Sequence, residues 1–445
     1  MLSSLKHKIA YSESLQKVLR NIGWQTSDKI VRMGLGILVS VWTIRYLGPE
    51  QFGTLSYSLA FAGVFSALAS LGLDGIVVRE VSKDPSKKDV ILGTAFSMKI
   101  LGAIGAFLIT VVSIYAVRPG DYTTIVMTSI VAFSLFFAAW DVIDFWFQSR
   151  IESKFTVFAR NSAFIIAGVA KVLVIILRGP LIAFAIASLL EVSLAALGLV
   201  FFYRRKGNRI VSWKSDYSVA KVLLMESWPL IIAGFATFIY VKIDQLMLGS
   251  MLGNKPLGIY SAAIKFSEIW YFIPVAISSS VFPIMVEQKK RNEGQFFLRF
   301  GKICSLMSSI GIGIAIIMTA ASSWLVRWAY GSSYSDAGPI LAIHIWAGVF
   351  VFIGVAASIW TMIEGYQKFS LFATVTGGII NVVANLVLIP IYGGIGAAIS
   401  TVVAYAAAGY FVYFLLPQTR KVAFMLTKSI IAPWKLLGMR DGEIS

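Results

Sequence analysis

The sequence predicts an all-α polytopic membrane protein with about twelve transmembrane helices, arranged as two parallel six-helix lobes around a central cavity. Three observations support this prediction: the composition, the length of the apolar stretches, and a motif that occurs twice. Of the 445 residues, 58% are hydrophobic and 14% are charged, and the mean hydropathy is +0.79. Because about a quarter of the residues in a soluble domain are charged, this composition indicates a protein of the bilayer.

The apolar stretches have the length of membrane-spanning helices. They run for about 18 to 25 residues, which as helix crosses roughly 30 Å of hydrocarbon. Spanning strands would be only about ten residues long and would alternate, so a barrel is disfavoured. The predicted spans are 27–47, 54–74, 91–117, 122–143, 157–177, 181–203, 223–249, 257–285, 303–327, 339–363, 370–390 and 394–416.

A short motif occurs once in each half of the chain, at a constant offset of 205 residues, the distance from Leu47 to Leu252. Six predicted spans separate the two copies, and an even number of spans preserves direction. We therefore expect the halves to be parallel repeats related by an axis along the membrane normal. The matched residues are Leu47, Gly48, Gly53, Ser56 and Phe61 in the first copy and Leu252, Gly253, Gly258, Ser261 and Phe266 in the second.

The distribution of Lys and Arg predicts the orientation. With the N-terminus in the cytoplasm, 30 of the 39 basic residues lie in inside loops and ends, five lie outside and four lie within spans. This asymmetry predicts that both termini are cytoplasmic. The net charge of +17 is therefore mainly a feature of topology, and we expect no nucleic-acid partner.

The repeat and the topology together predict the domain organisation. Two six-helix bundles leave a cleft between them, and a substrate path would run there. The predicted segments are a basic amphipathic N-terminal lead-in (1–26), an N-lobe (27–203), a cytoplasmic inter-lobe loop (204–222), a C-lobe (223–416) and a basic cytoplasmic tail (417–445).

Four lysines fall inside predicted spans: Lys99, Lys171, Lys242 and Lys265. An ionised group near the bilayer centre costs at least about 2.5 kcal/mol, and it persists when it is paired or faces a wet cavity. Lys242 and Lys265 lie at similar depth on consecutive helices, roughly 11–12 Å below the outer surface, and could converge. One interpretation is an excess-positive cavity that holds an anionic group.

The nearby acids leave alternatives open. Glu268 is three residues after Lys265 on the same helix face, so these two residues could simply neutralise each other. Glu191 is the most central acid of the spans. It either pairs with Lys99 or Lys171 as a structural ion pair, or it titrates and couples movement to protons or sodium.

Cysteine and histidine are too scarce for several classes of site. The single Cys304 excludes an internal disulfide, and the two histidines, His7 and His344, leave no ligands for a Cys/His metal cluster. We therefore expect no cofactor, no metal site and no catalytic residues.

Three segments in this order, RYLGPEQFG, IDQLMLG and GIYSAA, resemble those of Wzx-type flippases for O-antigen and other lipid-linked oligosaccharides. These flippases belong to the multidrug/oligosaccharidyl-lipid/polysaccharide exporter superfamily, and the resemblance extends from about Gly23 to Leu416. It implies a transporter, not an enzyme, whose two lobes alternate between inward- and outward-facing states. The implied cargo is an undecaprenyl-pyrophosphate-linked oligosaccharide, carried across the bacterial inner membrane from the cytoplasmic to the periplasmic leaflet.

The resemblance also implies a cationic central cavity and an ion gradient of H⁺ or Na⁺. Arg32, Asp244 and Lys265 match positions where such proteins place polar groups, whereas the role of Glu191 is inferred from the residues alone. Membrane lipids and a polysaccharide polymerase are the other implied partners. The expected substrate-binding residues are Arg32, Lys99, Lys171, Lys242 and Lys265, and the expected ion-coupling residues are Glu191, Asp244 and Glu268.

Two other functions fit parts of the sequence. A multidrug or cation exporter of the same superfamily would need acids inside the cleft, whereas the spans here are richer in Lys. A membrane-embedded polysaccharide polymerase or ligase would need a sizeable outside loop with acid–base residues. The longest predicted outside loop, WAYGSSYSDAG, is short and lacks His. Transport of an anionic cargo is therefore the leading hypothesis.

Overall fold

The structure, a computed structural model, describes the backbone of residues 2–432 and the side chains of Trp24 and of residues 32–432. The other side chains of the predicted lead-in, and the part of the predicted tail beyond residue 432, lie outside the described residues. Within the described range the chain forms helices and no strand. It divides into two compact units, the first formed by residues 2–46 and 58–235 and the second by residues 47–57 and 236–432.

Most of the described chain lies in long helices. Their bounds are α1 (Leu2–Val64), α2 (Ser66–Ser70), α3 (Asp74–Lys83), α4 (Lys88–Val117), α5 (Tyr122–Ala138), α6 (Val142–Ser149), α7 (Lys154–Ile176), α8 (Ile182–Arg205), α9 (Tyr217–Leu252), α10 (Asn254–Glu268), α11 (Phe272–Arg291), α12 (Glu293–Tyr330), α13 (Ala337–Ile363), α14 (Gln367–Tyr392), α15 (Gly394–Gly409) and α16 (Arg420–Ile431).

Ten helical segments of the described chain are long and apolar enough to cross a membrane. A bent pair, Arg32–Val64 with Ser66–Lys83, would make an eleventh. The predicted spans 27–47 and 54–74 both fall within helices α1 to α3, and the non-helical residue Gly48 separates them. The prediction of an all-α polytopic membrane protein is therefore confirmed.

The core of the first unit lies where α3, α4, α6 and α8 meet. Leu73, Phe147 and Tyr203 are fully buried there. The rings of Trp146 and Tyr203 are 5.1 Å apart, and Trp213 donates a hydrogen bond of 3.1 Å from Nε1 to the Tyr203 hydroxyl. Trp213 belongs to the segment that links α8 to α9. The core thus extends beyond the spans and includes part of the predicted inter-lobe loop.

Helix α13 lies at the centre of the second unit. In the most apolar 18-residue stretch of α13, 61% of the residues are buried. In the corresponding stretch of the segment that contains α10 and α11, 11% are buried. Gly311 of α12 lets α13 approach closely, because a Cβ at this position would lie 3.3 Å from the Val349 Cα. Helix α16 packs on α12, and the hydroxyls of Ser308 and Ser429 are 2.9 Å apart. The first part of the predicted tail is therefore a packed helix.

The duplicated motif places a glycine of unusual backbone conformation at the same point in each copy. Gly48 has φ 69° and ψ 172°, and Gly253 has φ 88° and ψ −173°. Only glycine adopts this region without a large steric cost. The first glycine of each copy therefore breaks the helix and separates α9 from α10 in the second half of the chain.

The second glycine of each copy permits a close contact between the two copies, within the second unit. A Cβ built on Gly53 would overlap the carbonyl of Asn254 and lie 3.0 Å from the Gly258 nitrogen. A Cβ built on Gly258 would overlap the carbonyl of Pro49 and lie 2.9 Å from the Gly53 nitrogen. The two duplicated turns therefore pack backbone against backbone, and Asn254 also donates a 3.0 Å hydrogen bond to Thr54.

Candidate functional site

Two cationic side chains on two helices of the first unit converge on one carboxylate of a third helix. Arg32 of α1 lies 3.7 Å from one Glu191 oxygen, measured from Nη1. Lys171 of α7 lies 3.8 Å from the other oxygen, measured from Nζ. Glu191 is on α8, and the three side chains are 31%, 22% and 24% exposed in the order Arg32, Lys171 and Glu191. Two cations thus lie close to the two oxygens of one acid.

The structure therefore gives Glu191 a partner that the sequence predicted, Lys171, and adds Arg32. Both distances are long for charge-assisted hydrogen bonds, which usually measure about 2.7–2.9 Å. Arg32 is also held by the backbone, because its Nη2 donates a 2.9 Å hydrogen bond to the carbonyl of Arg160. The guanidinium stands 5.1 Å from the ring of Phe164. The arrangement fixes Arg32 and leaves its contact with the carboxylate loose.

A second charged group lies next to the first. The Arg160 guanidinium donates 3.0 Å hydrogen bonds to Asp141 and to Asp144. Asp144 is 4% exposed, and it also accepts from the hydroxyl of Thr156 at 2.6 Å. Since Arg32 is bonded to the Arg160 carbonyl, the two groups are joined through one residue. A shift of α7 would move both.

Lys99 of α4 is 3% exposed. Its ammonium lies 5.0 Å from the ring centre of Phe145, and no carboxylate of the described residues lies within 4.0 Å of it. Burial of an ammonium without an acceptor is costly. The sequence left Lys99 and Lys171 open as partners of Glu191. The structure pairs Glu191 with Lys171 and not with Lys99.

We expect Lys99→Met to stabilise the protein, because methionine fills a similar volume without the buried charge. The gain should be about 1–2 kcal/mol in the free energy of unfolding. Thermal unfolding of the purified protein, followed by tryptophan fluorescence, measures it. Lys221→Met is the matched control, because Lys221 is exposed. A lower midpoint for Lys99→Met would contradict this account.

In the second unit, Lys242 pairs with Glu268. The Lys242 ammonium lies 3.1 Å and 3.4 Å from the two oxygens of Glu268. These residues belong to different helices, α9 and α10. Lys265 of α10 has an exposed side chain. Glu268 is thus bonded to Lys242, a partner that spacing within one helix did not suggest.

A cavity of about 630 Å³ opens beside this pair, entirely within the second unit. Aromatic rings form much of its wall, and the rings of Tyr240 and Tyr405 are 4.8 Å apart. Such a wall suits the faces of sugar rings as well as apolar chains. The aromatic and charged residues that line the cavity include Tyr240, Lys242, Glu268, Tyr271, Tyr405 and Tyr413.

Asp244 occupies a buried polar site in the second unit. It is 3% exposed and accepts hydrogen bonds from the hydroxyl of Tyr260 and, at 3.3 Å, from that of Thr401. The backbone N–H of Gln245 donates a third at 2.8 Å. No Lys, Arg or His of the described residues forms an ion pair with Asp244 within 4.0 Å. Two hydroxyls and a backbone N–H, not cations, hold this carboxylate.

Two buried asparagines of α14 were missed by the sequence analysis. The Asn385 amide donates to the Asn381 carbonyl oxygen. The Asn381 amide nitrogen and the Asn385 carbonyl oxygen have no hydrogen-bond partner among the described residues. Two polar residues four apart in an otherwise apolar span lie on one helix face, and this spacing could have revealed them.

Comparisons with known proteins agree with this architecture. A family model described as polysaccharide biosynthesis protein matches residues 18–289, more than half of the chain. The succinoglycan biosynthesis transport protein ExoT of Rhizobium meliloti is 21% identical over 335 residues. These residues are 73% of this chain and 65% of ExoT, so the chain spans less than two thirds of that relative. The probable low-salt glycan biosynthesis flippase Agl15 of Haloferax volcanii is 21% identical over 84% of this chain and 78% of its own length.

Solved structures show the fold. An inward-facing multidrug resistance MATE family transporter of the MOP superfamily superposes with a TM-score of 0.73 at 14% identity, covering 89% of this chain and 96% of that one. The lipid II flippase MurJ in an inward closed conformation gives 0.67 at 16% identity, covering 96% and 94%. The resemblance drawn from the three sequence motifs is confirmed. The chain therefore belongs to the polysaccharide biosynthesis protein family and has the helical fold of the MATE and MurJ transporters.

Proposed function

We propose that this protein is a flippase for an undecaprenyl-pyrophosphate-linked oligosaccharide. It moves the lipid from the cytoplasmic to the periplasmic leaflet of the bacterial inner membrane by alternating access, and both of its termini are cytoplasmic. The observation that carries the proposal is the convergence of Arg32 and Lys171 on Glu191, on three helices of a chain from this family. A polymerase that extends the flipped unit is its expected functional partner.

The chemistry of the cargo explains why such a group is needed. A diphosphate loses its hydration when it enters hydrocarbon, and this loss must be replaced by charged donors. The guanidinium of Arg32 offers a fork that matches phosphate oxygens, and Lys171 adds a point charge. Because both cations lie 3.7–3.8 Å from Glu191, a phosphate can approach them without displacing a tightly bound carboxylate.

The remaining predicted cations have different settings. Lys242 is paired with Glu268 at the wall of the aromatic cavity, where it can contact a polar group of the cargo. Lys265 is exposed on the neighbouring helix. Lys99 supports the electrostatic potential of the first unit from its buried position. We assign substrate contact first to Arg32 and Lys171.

Transport is coupled to an ion gradient in this proposal, through the acids of the two units. Glu191 competes with the cargo for Arg32 and Lys171, so loss of its negative charge would strengthen the contact of both cations with the diphosphate. Asp244 offers a buried carboxylate surrounded by hydroxyls, which suits H⁺ or Na⁺. Glu268 holds Lys242. Ion occupancy at these acids would therefore alter the charge available to the cargo.

We expect Asp244→Asn to remove the dependence of transport on an imposed ion gradient, because the amide cannot take up a proton or balance a cation. Proteoliposomes with and without a pH or Na⁺ gradient measure this dependence. Glu287→Gln is the control, because Glu287 is exposed and paired with Arg291 on the same helix. A variant that responds to the gradient as the wild type does would exclude Asp244 as the coupling acid.

Reconstitution tests the proposed function directly. Purified protein is placed in liposomes containing an undecaprenyl-pyrophosphate disaccharide with a fluorescent sugar, and a membrane-impermeant quencher reports which leaflet holds the lipid. We expect the protein to accelerate exchange of this lipid and to leave a neutral glycolipid of the same chain length unmoved. If the vesicles instead export an organic cation such as ethidium and do not move the lipid, the protein is a cation exporter.

A further inference from the structure

A second basic site lies in the first unit, away from the group formed by Arg32, Lys171 and Glu191. It is a cavity of about 500 Å³ at the end of the unit where α4 begins, α6 ends and α8 ends. It shares no residue with the proposed cargo site. The residues that carry the argument are Lys88, Trp146, Arg150, Glu152, Lys206 and Asn208.

The charge of this cavity is unbalanced. Three cations and one carboxylate line it. Glu152 is taken by Lys206, at 3.0 Å. Lys88 donates a 2.5 Å hydrogen bond to the amide oxygen of Asn208, and within the described chain neither Lys88 nor Arg150 forms an ion pair within 4.0 Å. Two positive charges therefore remain for an anion.

The backbone on both sides of the cavity is held in a conformation that disfavours most residues. Ile151 has φ 56°, although it is β-branched and 45% exposed. Such a conformation costs about 1–3 kcal/mol and is common at functional sites. Ile151 stands between Arg150 and Glu152, which both line the cavity. The strained turn therefore directs two neighbouring side chains to the same space.

The opposite wall also contains a residue with positive φ between two residues that line the cavity. Gly207, with φ 81°, stands between Lys206 and Asn208, and both of these line the cavity. Asn208 is 9% exposed, and its amide nitrogen donates to the Tyr203 carbonyl at 3.3 Å. Its amide oxygen is thereby fixed toward Lys88. The cavity is a formed site between two ordered turns, not a group of free surface lysines.

The position of the cavity indicates the source of the anion. Helices α4 and α8 belong to candidate spans, and the cavity lies where α4 begins and α8 ends, which is the level expected for lipid headgroups. Trp146, which is 8% exposed, forms an apolar wall, and the Lys88 ammonium is 6.0 Å from its ring. We propose that this cavity binds the phosphate of an anionic lipid headgroup, with Lys88 and Arg150 as the principal contacts.

The test measures lipid binding to the purified full chain by native mass spectrometry. The probes are phosphatidylglycerol, phosphatidylcholine and undecaprenyl phosphate, each titrated alone, and inorganic pyrophosphate as a soluble competitor. We expect the wild type to bind phosphatidylglycerol at least about tenfold more tightly than phosphatidylcholine, because each Lys or Arg at a membrane surface adds to the attraction of anionic lipid.

Three variants make the result specific. K88Q/R150Q removes the two principal contacts and should weaken binding of phosphatidylglycerol about tenfold or more. K87Q/K154Q removes the same charge from nearby residues that do not line the cavity, and its affinity should match the wild type. Glu152→Gln removes the competing carboxylate and should strengthen binding, an effect in the opposite direction that a folding defect would not produce.

Several outcomes would overturn the proposal. These are unchanged affinity in K88Q/R150Q, an equal loss in K87Q/K154Q, and weaker binding in Glu152→Gln. Tighter binding of undecaprenyl phosphate than of phosphatidylglycerol would identify a polyprenyl lipid as the source of the phosphate. Displacement of every lipid by pyrophosphate at equal affinity would identify a soluble phosphate and exclude the lipid source. The measurement involves no transport, so it is independent of the flippase assay.

Discussion

Replacing Gly258 with alanine is expected to destabilise the second unit strongly. The new Cβ would overlap the Pro49 carbonyl and lie 2.9 Å from the Gly53 nitrogen. Because the opposing atoms are backbone, no side chain can rotate away. Overpacking of this kind costs about 3 kcal/mol or more. Gly53→Ala should act similarly, through Asn254.

The single cysteine provides the measurement. Cys304 is fully buried in α12 of the same unit, so a thiol-reactive dye labels it only when the unit opens. Labelling during a temperature ramp should begin several degrees lower in Gly258→Ala. Gly313→Ala is the matched control, because a Cβ at Gly313 has no atom within 4 Å.

The double variant Gly53→Ala/Gly258→Ala adds a test of the contact itself. Since both methyl groups disrupt one interface, the combined loss should be smaller than the sum of the single losses. Additive losses would mean that the two turns do not share an interface, and an unchanged midpoint in Gly258→Ala would mean that the close approach does not exist.

Loss of the cations that share Glu191 is expected to have the largest effect on transport. Arg32→Gln and Lys171→Gln should each reduce flipping of the diphosphate lipid about tenfold or more, because a hydrogen bond to a charged group contributes about 1.5–3 kcal/mol. The amount of protein in the membrane should not change. Flipping in proteoliposomes and surface polysaccharide in a deletion strain measure the effect.

Charge and shape can be separated at this site. Lys171→Arg keeps the charge and should retain most of the activity, whereas Lys221→Gln, which removes an exposed lysine of the same unit, should retain all of it. Glu191→Gln removes the negative charge that both cations face. We therefore expect it to bind the cargo more tightly but to lose the response of transport to a proton gradient. Wild-type polymer in both Arg32→Gln and Lys171→Gln would refute the assignment.

The sequence predicted the features that depend on local pattern. Apolar length gave the spans, and the repeated Leu-Gly motif located the two glycines, Gly48 and Gly253, whose backbone conformation breaks the helices. Glu191 with Lys171 was one of two alternatives. Each of these follows from residues close in the chain or from charges that must be neutralised in a bilayer.

Features that depend on which helix faces meet were not predicted. Spacing within α10 suggested Lys265 for Glu268, and the structure adds Lys242, an ion-pair partner from the neighbouring helix α9. The hydroxyl of Tyr260 on Asp244 is a contact of the same kind. Neither contact leaves a trace in the spacing of residues along one chain segment.

The packing of residues 47–57 into the second unit has a consequence for biogenesis. The first turn leaves the ribosome 205 residues before its counterpart, the distance from Gly53 to Gly258. At roughly 5–20 residues per second, translation separates the two by about 10–40 seconds. During that interval the turn around Gly53 lacks the second turn against which it packs. A nascent chain stalled before residue 254 would therefore expose this turn to chaperones and proteases.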